Sequence, residues 1–264
     1  MPLAYYSVAA RQEFWTEHWG GHTVAELLAV ARASPLTDLV MRALPPAGLV
    51  LEAGCGLGQY VLLLRERGRR AVGADWSVEA LAACRRVSPA PLAAMDLSAL
   101  ALRPGTVAAY VSLGVVEHDP DGPDRLLAEA RRVLAPGGVA LVSVPYWNGA
   151  RRLGKAWIAR RNRAVARAGG QFYQYAFSRR ELVAALGRHG FETRALHPYD
   201  PARLLRGLVP RAARPSEGGA RAAGPGTGGA ARARGLRGAA RRLLYSPPAL
   251  RFLGHMLLAV AVKR

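Results

Sequence analysis

Cysteine, lysine and acidic residues are all scarce in this 264-residue chain. Two cysteines, Cys55 and Cys84, exclude a disulfide framework and a four-cysteine zinc site. Against 37 Lys and Arg stand only 18 Asp and Glu, and just two of the cations, Lys155 and Lys263, are lysines. No apolar run approaches the roughly 18 residues of a membrane span. The longest, around residues 107–116 and 256–262, have the length of buried strands. The N-terminal residues have no basic stretch leading into a long apolar one, so no export signal is expected. The expectation is a soluble, reduced, cytoplasmic protein. What is plentiful is apolar material, at 51% of the chain, enough for the core of one large domain or two small ones.

The net charge of +19 is concentrated. Residues 151–170 carry Arg151, Arg152, Lys155, Arg160, Arg161, Arg163 and Arg167 with no acid, and residues 201–264 carry 13 cations against Glu217. Those two segments hold the whole excess. One reading is a surface for an anionic partner: nucleic acid, an acidic membrane or a phosphorylated substrate. The other is compositional, since GC-rich coding enriches Ala, Gly, Pro and Arg without any partner.

Along the chain, residues 1–33 read as helical, with Phe14, Trp15 and Trp19 close together. Ser34-Pro35 reads as a cap opening a further helix that Pro45-Pro46 stops. Apolar strands are then expected at 49–53, 71–74, 91–94, 107–113 and 139–144, alternating with helices at 59–67, 78–86 and 125–134. This alternation predicts an α/β fold, a parallel sheet with helices on both faces. A basic helix over 151–168, a capped helix over 178–188, a strand over 191–197 and a last strand over 254–262 follow. The organisation expected is an N-terminal helical cap over 1–45 and a core over 46–200 with substrate-side helices at about 146–177. A basic, flexible Gly/Ala/Arg-rich insertion over 201–245 and a closing strand within 246–264 complete it.

The most informative segment is Leu49-Val50-Leu51-Glu52-Ala53-Gly54-Cys55-Gly56-Leu57-Gly58, a buried strand running into a three-glycine turn before a helix. Glycine permits positive φ and close backbone approach by a ligand, and the following helix start offers free N–H groups. A dinucleotide fingerprint requires a third glycine where Gln59 or Val61 stands, and no Walker lysine follows. What remains is an acid two residues ahead of G-x-G-x-G.

Here the chain resembles the class I S-adenosylmethionine-dependent methyltransferases, in their small-molecule branch, similar to the quinone-biosynthesis O-methyltransferases. The resemblance covers residues 47–145 and, more loosely, the chain up to 197. It is carried by LEAGCGLG, by Val72-Gly73-Ala74-Asp75-Trp76-Ser77, by Met95-Asp96-Leu97, by Val111-Ser112-Leu113-Gly114 with Glu117-His118 after it, and by RRVLAPGGVALVSVP. It implies a Rossmann-like sandwich with a seven-stranded, mostly parallel sheet whose final strand is antiparallel. S-adenosylmethionine is the implied cofactor, held by Glu52, Gly54, Gly56, Gly58, Asp75, Trp76, Asp96, Leu97 and Ser112. A carboxylate suits the cofactor's ammonium group at Glu52 and its ribose hydroxyls at Asp75. Plainer roles stand beside these: Asp96 as a turn cap, Trp76 as core and Cys55 as a small turn residue.

Methyl transfer to a hydroxyl needs alignment, exclusion of water and a base. His118 is the candidate base, its alternative being a loop histidine that shapes the pocket. Glu117, His118, Asp119 and Asp121 are near in sequence, yet no metal site is read from them. Tyr146, Trp147, Phe172, Tyr173 and Tyr175 form an aromatic set suited to an apolar or ring-shaped acceptor, with His197 and Tyr199 as further candidates. The Asn-Pro-Pro-Tyr type motif of amino-methylating enzymes is absent after the fourth strand. The reading is a methyltransferase acting on a small molecule at oxygen: a quinol, a lipid-linked sugar or a secondary metabolite. The basic segments suit a phosphorylated acceptor or an anionic membrane, and nucleic acid is disfavoured. The alternatives are a methyltransferase for RNA or protein held by those segments, and a non-catalytic cofactor-binding scaffold.

Overall fold

The computed structural model describes residues 2–7, 19–203 and 242–264. A short strand β1 (Leu3–Ser7) precedes two capped helices, α1 (Val24–Ala33) and α2 (Pro35–Ala43). The Thr23 hydroxyl accepts the Glu26 N–H while the Glu26 carboxylate accepts the Thr23 N–H, and Ser34 caps α2 with Pro35 in its first turn. The core then alternates: β2 (Leu49–Ala53), α3 (Gln59–Glu66), β3 (Arg70–Asp75), α4 (Val78–Arg85), β4 (Leu92–Ala94), β5 (Val107–Leu113), α5 (Asp124–Val133) and β6 (Leu134–Pro145). Two basic helices, α6 (Gly149–Leu153) and α7 (Lys155–Arg167), lead to β7 (Gln171–Ala176), α8 (Arg179–Arg188) and β8 (Phe191–Tyr199). The chain closes with α9 (Pro247–Leu253) and β9 (Met256–Lys263).

Seven strands form one sheet in the order β4-β3-β2-β5-β6-β9-β8. All run parallel except β9, which is antiparallel to both β6 and β8. This is the expected Rossmann-like α/β sandwich. Period-two alternation sends successive side chains to opposite faces, and each face carries its own core. Leu51, Ala53, Val107 and Tyr110 pack with α5 and α8, while Val50, Ala109 and Val111 pack with α1, α3 and α4. Chain direction across the sheet reverses at β2, whose neighbours are β3 on one side and β5 on the other. Loops leaving β2 and β5 therefore diverge and open a crevice at the strand ends, the usual ligand position in such sheets.

Four expectations need correction. Residues 3–7 are a strand, not helix, because Tyr5 and Tyr6 lie in an extended segment that pairs antiparallel with β7. The region expected as substrate-side helices ends in β7, whose alternating aromatics suit a pleated surface. The single basic helix is broken at Gly154, which closes α6 before α7 begins. Residues 247–253 are helical, started by Pro247 after Ser246, so the closing strand begins at Met256. Phe14, Trp15 and residues 204–241, most of the expected basic insertion, lie outside the described residues.

Two glycines test the packing. A methyl on Gly73 in β3 would lie 2.7 Å from Cys55 Sγ and Leu92 Cδ2 and 2.9 Å from Val61 Cγ2, whereas one on Gly187 in α8 meets nothing within 4 Å. Gly73→Ala is expected to destabilise by about 1–3 kcal/mol through overpacking. Gly187→Ala is expected to stabilise by about 0.5–1 kcal/mol, because alanine has less backbone entropy to lose in a helix. Urea unfolding of both variants checks the two signs.

Candidate active site

The turn after β2 is pinned from several sides. Gly54 and Cys55 donate to the Ala74 carbonyl at 2.7 and 3.1 Å, and Gly58 donates to the Cys55 carbonyl at 2.8 Å. The Gly56 N–H donates to Asp75 Oδ2 at 2.7 Å, and the Ser77 N–H donates to Oδ1 at 2.9 Å. Gly54 has φ +82°, and a Cβ there would lie 2.3 Å from Val115 Cγ2, so the turns after β2 and β5 touch. Gly56, at φ +51°, lies under the Trp19 indole, which a Cβ would meet at 2.5 Å. Only glycine satisfies both the conformation and the contact at these two places.

A cleft of about 500 Å³ opens above this turn. Glu52, Gly54, Gln59, Tyr60 and Asp75 line one end with Trp19 and Trp76, and Leu97, Gly114, Val115, Glu117 and His118 form the next wall. Tyr173 and Gln174 of β7, Tyr199, Asp200, Arg203 and His255 close the far side. Glu52 is 2% exposed, and its Oε2 has no hydrogen-bond partner. Burial pushes its carboxyl well above the usual range, and the nearby Asp75 charge adds to that. A buried carboxylate oxygen in this state calls for a cationic or N–H donor from a ligand. Burial also raises Asp75, against the pull of its backbone donors.

His118 and Glu117 belong to a short 3-10 turn (Val116–His118) after β5. His118 Nδ1 lies 2.7 Å from the Tyr173 carbonyl oxygen. That oxygen can only accept, so Nδ1 carries the proton and Nε2 is the basic nitrogen of the neutral ring. Burial lowers the His118 pKa and keeps the ring neutral, against the opposing hydrogen bond. Nε2 is 4.0 Å from Glu117 Oε1. Burial drives the Glu117 carboxyl up to about 8, so it is mainly protonated at neutral pH. His255 behaves differently: burial and the Arg151 and Arg203 charges push it down to about 3. The Arg151 guanidinium is itself buried, donating to the Tyr146 and His255 carbonyls at 2.5 and 3.1 Å.

Of the residues singled out in the sequence, Glu52, Gly54, Asp75, Trp76, Leu97, His118, Tyr173 and Tyr199 converge on this cleft. Gly56 and Gly58 shape the turn beneath it, Gly58 packing near Cys84 Sγ. Asp96 sits in an adjoining depression that shares Trp76 and Leu97, and its Oδ1 accepts from Ser98 N and Oγ. The Ser112 side chain is buried within the sheet, and its neighbour Leu113 lines the cleft. Tyr146, Trp147 and Tyr175 do not line the cleft. Tyr146 belongs to the core, the Trp147 backbone N–H donates to the Phe177 carbonyl, and the Tyr175 hydroxyl donates to the Pro120 carbonyl at 2.8 Å. His197 faces a separate groove with Arg42 and Arg179. Trp19, Gln59, Tyr60, Arg203 and His255 were not foreseen as site residues. The aromatic N-terminus was the only signal for Trp19, and none pointed to His255.

Residues 51–142 match the family described as a methyltransferase domain. A probable S-adenosylmethionine-dependent methyltransferase of Mycolicibacterium smegmatis is 38% identical over 97 residues, which is 36% of this chain and 37% of that protein. Residues 51–142, about a third of the chain, thus form a methyltransferase domain. The mouse tRNA (carboxymethyluridine(34)-5-O)-methyltransferase ALKBH8 is 31% identical over 125 residues, 46% of this chain and 18% of that protein. The chain thus spans well under half the length of these two relatives. A crystal structure of an S-adenosylmethionine-dependent methyltransferase from Archaeoglobus fulgidus shares the fold, with a TM-score of 0.58 at 15% identity, covering 96% of this chain and all of that one.

S-adenosylmethionine is this family's cofactor, and the methyltransferase cleft fits it. The unpartnered Glu52 oxygen suits a cationic ammonium group, and the glycine turn leaves room that any Cβ at Gly54 would fill. Glu52→Gln is expected to weaken S-adenosylhomocysteine binding by about 30-fold, on the order of 2 kcal/mol for removing one charge of a buried pair. Because burial raises the Glu52 pKa and an ammonium favours its ionised form, binding releases a proton. Wild-type affinity therefore rises with pH above the ordinary carboxyl range, and Glu52→Gln flattens that slope. Calorimetry from pH 5 to 8 measures both.

Proposed function

We propose that this chain transfers a methyl group from S-adenosylmethionine to an oxygen of a small-molecule acceptor in the cytoplasm, with His118 as the base. When bound, the cofactor supplies a methyl group on a positively charged sulfur, whose departure needs no acid. Glu52 receives the ammonium group, Asp75 the ribose hydroxyls, and Trp76 and Leu97 flank the base, with Asp96 at its edge. The observation that carries the reading is the fixed tautomer of His118 in the same cleft as Glu52 and Asp75. Its Nε2 takes the hydroxyl proton while Tyr173, held by the same carbonyl contact and a ring-to-ring approach of 5.2 Å, keeps the imidazole oriented. His255 lines the cleft as well, but a pKa near 3 makes it a poor proton acceptor at neutral pH.

A second reading follows from the cations on the far wall. Arg203 lines that wall beside Asp200, and the buried Arg151 adds its charge to that of Arg203 at His255. They suit an acceptor with an anionic group, including a carboxylate that is methylated directly, as the mouse relative's carboxymethyluridine name describes for that protein. A carboxylate needs no base, so His118 separates the two readings.

Purified protein with labelled S-adenosylmethionine is offered phenols, quinols, sugars and small carboxylic acids, and products are followed by mass spectrometry. For a hydroxyl acceptor, His118→Ala is expected to lower kcat by about 10²–10⁴-fold and leave S-adenosylhomocysteine affinity unchanged. Since burial lowers the His118 pKa below its usual 6.5, its rate is expected to hold through neutrality and fall only in acid. Ionisation of Glu117 near pH 8 places a negative charge beside Nε2, so Glu117→Gln is expected to remove any inflection there. An unchanged rate in His118→Ala would favour the carboxylate. Turnover on RNA or protein alone, or none on any acceptor, would sink the small-molecule reading.

A further inference from the structure

We infer that the outer face of α6 and α7, together with α9, is a docking surface for anionic phospholipid membranes. Three large apolar side chains stand exposed there: Leu153 at 81%, Trp157 at 66% and Phe252 at 45%. The Phe252 ring lies against Gly149 at the start of α6, where a Cβ would meet Cδ2 at 2.2 Å. Leu153 is one helical turn further along α6, and Trp157 stands in the first turn of α7, just past the break at Gly154. On α7 the inward positions are accounted for, with Ile158 buried and Asn162 Nδ2 donating to the Ala4 carbonyl at 2.7 Å. Trp157 is therefore not part of this helix's own packing face.

Exposed cations share these helices with the apolar side chains. Arg152, Lys155, Arg160, Arg161, Arg163 and Arg167 are all exposed, and no acid occurs between residues 149 and 170. Arg251 of α9 adds another. Leucine, tryptophan and phenylalanine set among arginines describe a helix lying in the plane of a membrane interface. The indole suits the headgroup level, and arginine stems cover apolar surface while their guanidinium groups reach phosphates. An RNA would use the cations but gains nothing from an exposed leucine, so the charge and the exposed apolar side chains together favour lipid. The contact is peripheral, since no helix among the described residues is long and apolar enough to cross a membrane. The surface shares a wall with the cleft: α9 runs into His255 and Met256, which line it. The inference stands apart from the methyl-transfer reading.

The test is cosedimentation of the full chain with vesicles of phosphatidylcholine containing about a third phosphatidylglycerol, against pure phosphatidylcholine. Binding to the anionic vesicles that weakens with salt is expected. Leu153→Ser combined with Trp157→Ser is expected to weaken it by at least tenfold. Charge reversal at Arg160, Arg161 and Arg163 is expected to cost at least about fivefold per cation. Circular dichroism and S-adenosylhomocysteine binding confirm that the variants fold. Brominated lipid should quench the wild-type fluorescence more than that of Trp157→Ser. Vesicle binding unaffected by the apolar pair overturns the proposal. So does RNA binding, measured on filters, that depends on the same arginines while vesicles are ignored.

Discussion

The Asp75 carboxylate accepts one amide from Gly56, in the turn after β2, and one from Ser77, at the start of α4. It thereby ties two crossover connections at the point where the sheet changes direction. The turn it holds is pressed from above by Val115 and Trp19, so its glycines cannot be exchanged without moving the turn after β5 or the indole. The placement of His118 follows from this. It leaves β5 just beyond Val115, and its ring is then fixed by the Tyr173 carbonyl from a separate two-stranded sheet. One carboxylate oxygen pair thus sets the floor of the cleft, and the β1–β7 sheet sets its opposite wall.

Burial, more than pairing, sets the charge state of the cleft. Glu52 and Glu117 are nearly inaccessible and each keeps an oxygen without a partner, so desolvation dominates both. His118 and His255 are neutral for the same reason, yet they differ in strength as bases because Arg151 and Arg203 act on His255. The unpartnered oxygen of Glu52, with the Asp75 carboxylate nearby, suits a cationic ligand at that end of the cleft. Its far wall holds Arg203 with Asp200 beside it, and there the Arg151 and Arg203 charges, rather than an unpartnered acid, act on the buried His255.

What was legible in the sequence is what is local. The strand, glycine turn and acid of residues 49–58 act over a few residues, and Asp75 ends the next strand in register with Ala94 of β4. The α/β alternation carried the sheet for the same reason. Side-chain destinations set by tertiary pairing were not legible. Tyr173 and Tyr175 sit two apart on one strand, but only Tyr173 reaches the cleft, because Tyr175 turns to the Pro120 carbonyl. Ser112 stands near a strand end, where the pleat sends it into the sheet and leaves Leu113 at the rim. His255 lies 137 positions from His118 and meets it only because β9 returns antiparallel beside β6.

The arginine excess has two explanations that the fold separates. Coding bias can raise arginine anywhere exposed, and it accounts for composition without placing any particular side chain. It does not account for Leu153 and Trp157 standing outward on helices that already bury Ile158 and use Asn162 to hold β1. In a surface shaped only by solubility, those two positions would be polar, since exposed leucine and tryptophan raise the risk of association. Arg151 makes the complementary point from inside the same helices. It is buried, it donates to backbone carbonyls at the junction of β6 and β9, and its charge suppresses protonation of His255. One basic segment therefore holds an arginine with a structural and electrostatic role on its inner side and exposed apolar side chains among cations on its outer side. Compositional drift explains neither.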